Sequence, residues 1–327
     1  MKCTVIIPVY NAEDTISECI RSLLGQKGAT FGKDYTIVVV DDGSTDRTPE
    51  ILKTFPVRII RLPKNQGRII ARLTGARHAE TPRLLFVDAR VSLADNAIAN
   101  LDLFDDYRAV MGESNAGETK YDSIIHTVLY LIRKKYYEKG SFPTEEEFTI
   151  TEQNFKRAAK GTTVLLIDRD LFIRLTPERT GKDINDDTRL FHNLVFVERI
   201  DILKSRRLFF RYSQRTEIKQ LAGWLFHRGV RFSDFYLRPG GYFYVPFLLL
   251  CSAMAGIASW ALIAGGLTYL AALAIGADVT ISLYLSEERR DFTRVLLGLP
   301  PIALLFVGGI VSFWVKILSN TFGRGVG

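Results

Sequence analysis

Three carboxylates stand where short β-branched or apolar runs stop, and they are the first residues here with chemistry to offer. Thr36 to Val40 closes on Asp41-Asp42-Gly43-Ser44, and Leu84 to Val87 closes on Asp88. Asp41 and Asp42 can accept N–H and O–H donors from a ligand. They can equally make a turn and cap the helix that follows. Asp88 can hold a divalent cation. Arg72 suits a phosphate or a carboxylate, or is a solvated helix residue. Arg90, two residues past Asp88, can offset an anion's charge or pair with a surface acid.

The elements that must position these groups alternate. Val5-Ile6-Ile7 is a buried run ending at Pro8, and Ile16, Ile20, Leu23 and Leu24 recur at helical spacing behind Glu13 and Asp14. After the run at 36–40 and a short helix, Val57 to Leu62 predicts a third strand, and Gln66 to Ala79 a helix before the fourth strand at 84–87. Strands separated by helices predict a parallel sheet covered on both faces, with ligands at the carboxyl ends of the strands. Those ends carry Pro8-Val9-Tyr10-Asn11, Asp41-Asp42 and Asp88. Farther on, Tyr121 to Glu138 predicts a helix, Phe142 to Phe148 a polar loop, Thr162 to Ile167 a strand, Asp186 to Val197 a helix with an acidic start, and Glu217 to Val230 a helix. Lys160-Gly161-Thr162-Thr163 is a turn before its strand or borders a second pocket.

Composition divides the chain between two solvents. From Pro239 to Ala277 there is no Asp, Glu, Lys or Arg, which exceeds the ~20 residues of one bilayer crossing. Hydrophobic length predicts spans at about 245–264, 267–285 and 295–317, with two crossings and an interfacial middle segment as the alternative, because Asp278 interrupts the second. The net charge of +7 is concentrated at Arg199, Lys204, Arg206, Arg207, Arg211, Arg215, Lys219, Arg228, Arg231 and Arg238. Basic residues beside a span favour the cytoplasmic face and anionic lipid over nucleic acid. Cys3, Cys19 and Cys251 form no metal or redox pattern and are expected to be small buried residues in a reducing compartment. The N-terminal apolar run is too short for a secretory core, so the first domain is expected in the cytosol.

Val5-Ile6-Ile7-Pro8-Val9-Tyr10-Asn11, Val40-Asp41-Asp42-Gly43-Ser44-Thr45-Asp46, then Asn65-Gln66-Gly67 with Ala71-Arg72 and Gly75, and then Asp88-Ala89-Arg90 follow in order. This series resembles the motifs of the family 2 glycosyltransferases with a GT-A fold, strongly over roughly residues 4–90 and loosely over 160–230. The ordered set is specific although each piece alone is weak. The resemblance implies an α/β, Rossmann-like nucleotide-diphospho-sugar transferase domain over 1–212, and the charge and hydrophobic pattern adds a basic amphipathic juxtamembrane segment over 213–242 and a transmembrane region over 243–320. It implies that Pro8, Tyr10, Asn11, Glu13, Asp41, Asp42, Gly67, Arg72, Asp88, Ala89 and Arg90 line the nucleotide-sugar site. Asp88 is the implied ligand of Mg2+ or Mn2+. The family places a second acid where this chain has Arg90, which leaves open whether water, another acid or Arg90 itself completes that site.

The cluster Asp183-Ile184-Asn185-Asp186-Asp187-Thr188-Arg189-Leu190 is similar to the family's acidic motif at the start of the acceptor-side helix. That makes Asp187 the expected base and Asp186 the second choice, with helix capping the competing role. Arg215, Arg228 and Arg231 are candidates for diphosphate or lipid phosphate, or for headgroups. The expected reaction is transfer, with inversion, of one sugar from a UDP- or GDP-sugar to a membrane lipid, polyprenyl phosphate or a lipid-linked glycan. The expected setting is a multi-pass cell-membrane protein with a cytoplasmic catalytic domain and no nucleic-acid partner, open to homo-oligomerisation. The altered acidic motif also suits a scaffold that binds nucleotide or a partner without turnover.

Overall fold

The structure, a computed structural model, describes residues 2–114, 123–137, 147–156, 158–176, 186–213, 218–237, 243–264 and 267–322. It divides into two compact units: residues 1–115 with 137–214, and residues 116–136 with 215–327.

The first unit opens with β1 (Cys3–Val9), α1 (Ile16–Leu24), β2 (Tyr35–Asp41), α2 (Thr48–Leu52), β3 (Arg58–Arg61), α3 (Arg68–His78) and β4 (Arg83–Val87). The short strands β5 (Val91–Leu93) and β6 (Ala109–Ser114) follow, separated by a 3-10 helix at Ala99–Phe104. Strand order is β3-β2-β1-β4, all parallel. Because β2 and β4 flank β1 on opposite sides, the chain reverses its winding there, and the carboxyl ends of strands at such a point are where sheets of this kind bind ligands. Apolar periodicity makes α1 what the sequence predicts: Ile16, Cys19, Ile20 and Leu23 are buried, at one-turn spacing. Helix α3 lies close on β1, and a Cβ at Gly75 would sit 2.5 Å from Cγ2 of the buried Ile6.

The sheet does not stay parallel. It continues through β8 (Val164–Asp168), which runs antiparallel to both β4 and β6, then through β9 (Ile202–Tyr212), parallel to β6 and antiparallel to β5 and to β7 (Glu147–Ile150). Phe148, expected in a loop, pairs with Lys204 across β7 and β9. Lys204, expected among the membrane-facing basic residues, is instead buried and lies 3.1 Å from buried Glu113. A charge that deep persists only with its partner, which a count of basic residues cannot show. Between β8 and β9 come α5 (Arg169–Leu175) and α6 (Asp186–His192), the latter passing into a π-helical turn at Asn193–Val197. The expected helix at 186–197 is therefore two winding patterns in succession.

The second unit contains α4 (Ile124–Tyr137), α7 (Ile218–Tyr236), α8 (Tyr244–Ala264), α9 (Leu267–Leu285) and α10 (Arg289–Phe322). Helix α4 thus belongs with the C-terminal helices, although the sequence places it in the first domain. Glycine brings α7 and α10 together: a Cβ at Gly229 would lie 2.0 Å from the Phe306 carbonyl oxygen, and one at Gly309 2.0 Å from that of Phe226. Small residues let helix backbones approach in this way. Buried Asp291 accepts the backbone N–H groups of Glu287 and Glu288 at 3.2 Å each, and α10 begins at Arg289, ahead of the span expected from about residue 295. Among the described residues one helical segment, Arg289–Lys316, is long and apolar enough to cross a membrane. Cys251, expected to be buried, is exposed on α8.

Candidate active site

The expected ligand-binding acids do gather at the carboxyl edge of β2, β1 and β4, and each is held differently. Asp42 is buried and its two oxygens accept the backbone N–H groups of Gln66 (2.7 Å) and Gly67 (2.8 Å), so this carboxylate builds the loop that starts α3. Gly67 has φ 99°, and Gly43 has φ 73° with no room for a Cβ against the Lys64 backbone. Glycine is needed at both positions. Asp41 is also buried; its Oδ1 accepts the Ser44 N–H at 2.9 Å. Its Oδ2 has no hydrogen-bond partner, and Arg61 Nε lies 3.4 Å away. Asp41 thus retains a buried acceptor where Asp42 has spent both of its own.

Asn11 and Glu13, expected at the nucleotide, clasp the loop after β2. Asn11 has φ 46° and accepts the Thr45 N–H at 2.9 Å, while Glu13 accepts the Arg47 N–H at 3.0 Å. Tyr10 is exposed, Pro8 and Arg90 are half-buried, and Ala89 is buried. The Arg90 carbonyl accepts the Ser213 N–H at 2.8 Å.

Arg72 is buried and reaches two acids. Its Nη2 is 2.8 Å from Asp88 Oδ1 and its Nη1 is 3.2 Å from Asp187 Oδ1. Thr162 completes the junction: its hydroxyl donates to Asp187 Oδ1 at 2.6 Å and its carbonyl accepts from Arg72 at 3.3 Å. Arg68 adds a second guanidinium, 3.0 Å from Asp187 Oδ2. Loss of solvent pushes the Asp88 carboxyl above its usual range, Arg72 and Arg68 pull it back, and Asp187 raises it again. The structure therefore joins Arg72, Asp88 and Asp187, which lie far apart in the chain. Arg68 was missed, although its spacing from Arg72 is the i, i+4 step that puts both on one helix face.

Asp186 opens α6, but its side chain, with Asp183 and Arg215, lies outside the described residues. Arg228 and Arg231 belong to α7 of the second unit, where the Arg228 guanidinium stands 4.6 Å over the Trp224 ring.

A divalent cation is the cofactor that this fold implies. Among the described residues no three His, Cys, Asp or Glu side chains converge on one point. Asp88 is about a third exposed, and one of its oxygens is engaged by Arg72. That fits Mg2+ or Mn2+ held by one carboxylate, water and substrate phosphates rather than by a protein cage.

Residues 4–152 match Glycosyl transferase family 2. The chain carries a glycosyl transferase family 2 domain. The undecaprenyl-phosphate 4-deoxy-4-formamido-L-arabinose transferase of Edwardsiella ictaluri is 36% identical over 92 residues, 26% of this chain and 28% of that protein. The dolichol-phosphate mannosyltransferase of Pyrococcus furiosus is 34% identical over 105 residues, 31% of this chain and 29% of that protein. The matched segment thus spans less than a third of the length of either relative. Among solved structures, the mannosyltransferase PcManGT from Pyrobaculum calidifontis, in complex with GDP-Man and Mn2+, is similar with a TM-score of 0.58 at 19% identity, over 94% of this chain and 87% of that one. The glycosyl transferase family 2 domain has the GT-A fold.

Proposed function

We propose that the protein transfers a sugar from a nucleotide-diphosphate sugar to a lipid phosphate, with polyprenyl phosphate as the acceptor. The observation that carries this reading is Oδ2 of buried Asp41 at the switch point of a GT-A sheet, which makes no hydrogen bond although Arg61 Nε lies 3.4 Å away. A buried acceptor without a hydrogen bond is costly, and a nucleotide's base N–H or ribose O–H would supply one. Asp88 lies on the diphosphate side, where a divalent cation, when bound, would offset the leaving group's charge.

The surroundings of Asp187 favour a phosphate acceptor over a hydroxyl. Both of its oxygens already accept, from Thr162, Arg72 and Arg68. An ionised phosphate needs no proton removed before it attacks the anomeric carbon. The new bond joins phosphate oxygen to that carbon, the bond to the diphosphate oxygen breaks, and the nucleoside diphosphate leaves with the electron pair. Inversion follows from a single displacement. Asp187 then positions Arg72 and Arg68 rather than acting as a base. Both aligned relatives named above take their names from polyprenyl-phosphate chemistry. The C-terminal helices α8, α9 and α10 would anchor the enzyme in the bilayer, turning acceptor capture into a pre-oriented encounter.

The test is incubation of the purified chain with radiolabelled UDP- and GDP-sugars and undecaprenyl phosphate, with and without Mg2+ or Mn2+. Label in the lipid phase supports the reading. One feature favours a scaffold without turnover instead, namely the hold of Arg72 on Asp88. Nucleotide binding with no transfer from any donor would select it.

A further inference from the structure

Two lysines in the first unit, Lys204 buried and Lys160 half-buried, are treated differently by the fold. Lys204 has its counter-ion, Glu113, at 3.1 Å. Lys160 has no carboxylate within ion-pairing distance among the described residues. Its ammonium donates to the backbone carbonyls of Phe155 and, at 2.7 Å, Ala158, and it stands 4.2 Å from the centre of the Phe155 ring. Carbonyl dipoles and a ring face moderate a desolvated cation without cancelling its charge. Burial accordingly pushes the amine down to about 8.

Its place makes this charge informative. Lys160 lies two residues before Thr162, the residue that touches both Asp187 and Arg72. The Phe155 ring under the ammonium also packs on His192 and Phe196, with centroids at 6.1 and 5.1 Å, so Lys160 sits on the side of α6, the helix that carries Asp187. Within the junction, the positive charges of Arg68 and Arg72 are matched by Asp88 and Asp187. Lys160 adds a positive charge two residues along the chain from Thr162, which belongs to this balanced set.

We propose that Lys160 binds the phosphate of the acceptor lipid, supplying at the α6 side the counter-charge that an entering phosphate monoester needs. This rests on the reading of the site as a lipid-phosphate glycosyltransferase. The chemistry recognised is a phosphate, which the acceptor lipid and the donor diphosphate both carry, and the experiment separates the two.

The full-length protein in detergent is titrated with farnesyl phosphate, with farnesol, and separately with UDP and GDP, as wild type, Lys160→Met and Lys160→Arg. Removing a charged contact is expected to weaken farnesyl phosphate binding on the order of tenfold or more in Lys160→Met. Farnesol and nucleotide binding should stay within about twofold, and Lys160→Arg should recover most of the loss. Equal farnesyl phosphate affinity in wild type and Lys160→Met would overturn the proposal. So would loss of nucleotide and farnesyl phosphate binding together, the mark of a loop-capping role, or loss of nucleotide binding alone, the mark of a donor contact. Failure of the wild type to bind farnesyl phosphate while binding nucleotide also overturns it and leaves the donor site standing. Failure to bind UDP or GDP at all strikes the functional reading itself.

Discussion

Arg72 Nη2 stands 2.8 Å from Asp88 Oδ1, and through Nη1 the same buried guanidinium reaches Asp187. One residue of α3 therefore ties the end of β4 to the start of α6. Its removal would take from Asp88 the guanidinium it pairs with and leave Asp187 with Arg68 and Thr162. Arg72→Met should cost about 3–5 kcal/mol of stability, the range for breaking one side of a buried charge network. Arg72→Lys should recover little of it, because an ammonium cannot span both acids as a planar fork does. Denaturant titration of the purified protein reads this, and a loss under about 1 kcal/mol would contradict the linking role.

The neighbouring acids Asp41 and Asp42 should separate in their effects. Asp42 closes two N–H bonds and Asp41 Oδ2 closes none. Asp42→Ala should cost roughly 1.5–3 kcal/mol in stability, since hydrogen bonds to a charged group are lost. Equal destabilisation by Asp41→Asn would be the wrong outcome.

Asp41→Asn should instead weaken nucleotide binding, by about tenfold, with stability changed by less than about 1 kcal/mol. Calorimetric titration with UDP and GDP measures it. Unchanged affinity for whichever nucleotide binds would remove Asp41 from the site.

Packing of α3 on β1 leaves no space at Gly75, where a Cβ would meet Ile6 Cγ2 at 2.5 Å. Gly75→Ala should destabilise by about 1–3 kcal/mol through overpacking. A thermal melt showing a neutral or stabilising effect would mean that helix and strand are less closely held than described.

Lys160 makes stability depend on alkaline pH. Its amine is held near 8 in the fold against 10.5 for an ordinary lysine. Between those values the unfolded chain binds more protons, so this group's contribution to stability rises as pH climbs through the window. Lys160→Met should be more stable than wild type below pH 8 and should lack that rise. Matching pH–stability curves for the two proteins would show that the ammonium is well solvated.

Much of the N-terminal half was legible because its signals are local. The runs at β1 and β2, the Asp41-Asp42-Gly43-Ser44 turn and the α1 stripe each declare themselves within a few residues, and parallel order follows from alternation with helices. The rest depends on distance along the chain. Nothing near Lys204 announces Glu113 as its partner, so it read as surface charge. Phe148 read as loop because it is the pairing with β9 that makes it strand. At the site, Asp187 and Asp88 could be named one by one, but the Arg72 bridge between them exists only after folding. Arg68 was hidden by the strength of the neighbouring Gly67 and Arg72 motif, despite sharing a helix face with Arg72.

The most direct test of the central claim is transfer itself, run with two acceptors that differ only in the phosphate. Purified wild type and Asp41→Asn are given a labelled UDP- or GDP-sugar with either undecaprenyl phosphate or undecaprenol in phosphatidylcholine vesicles, and label is followed into the lipid phase. Wild type should label undecaprenyl phosphate from at least one donor and leave undecaprenol unlabelled, with slower labelling by Asp41→Asn at limiting donor. Equal labelling of both lipids, or no labelling by wild type while nucleotide binds, would contradict it.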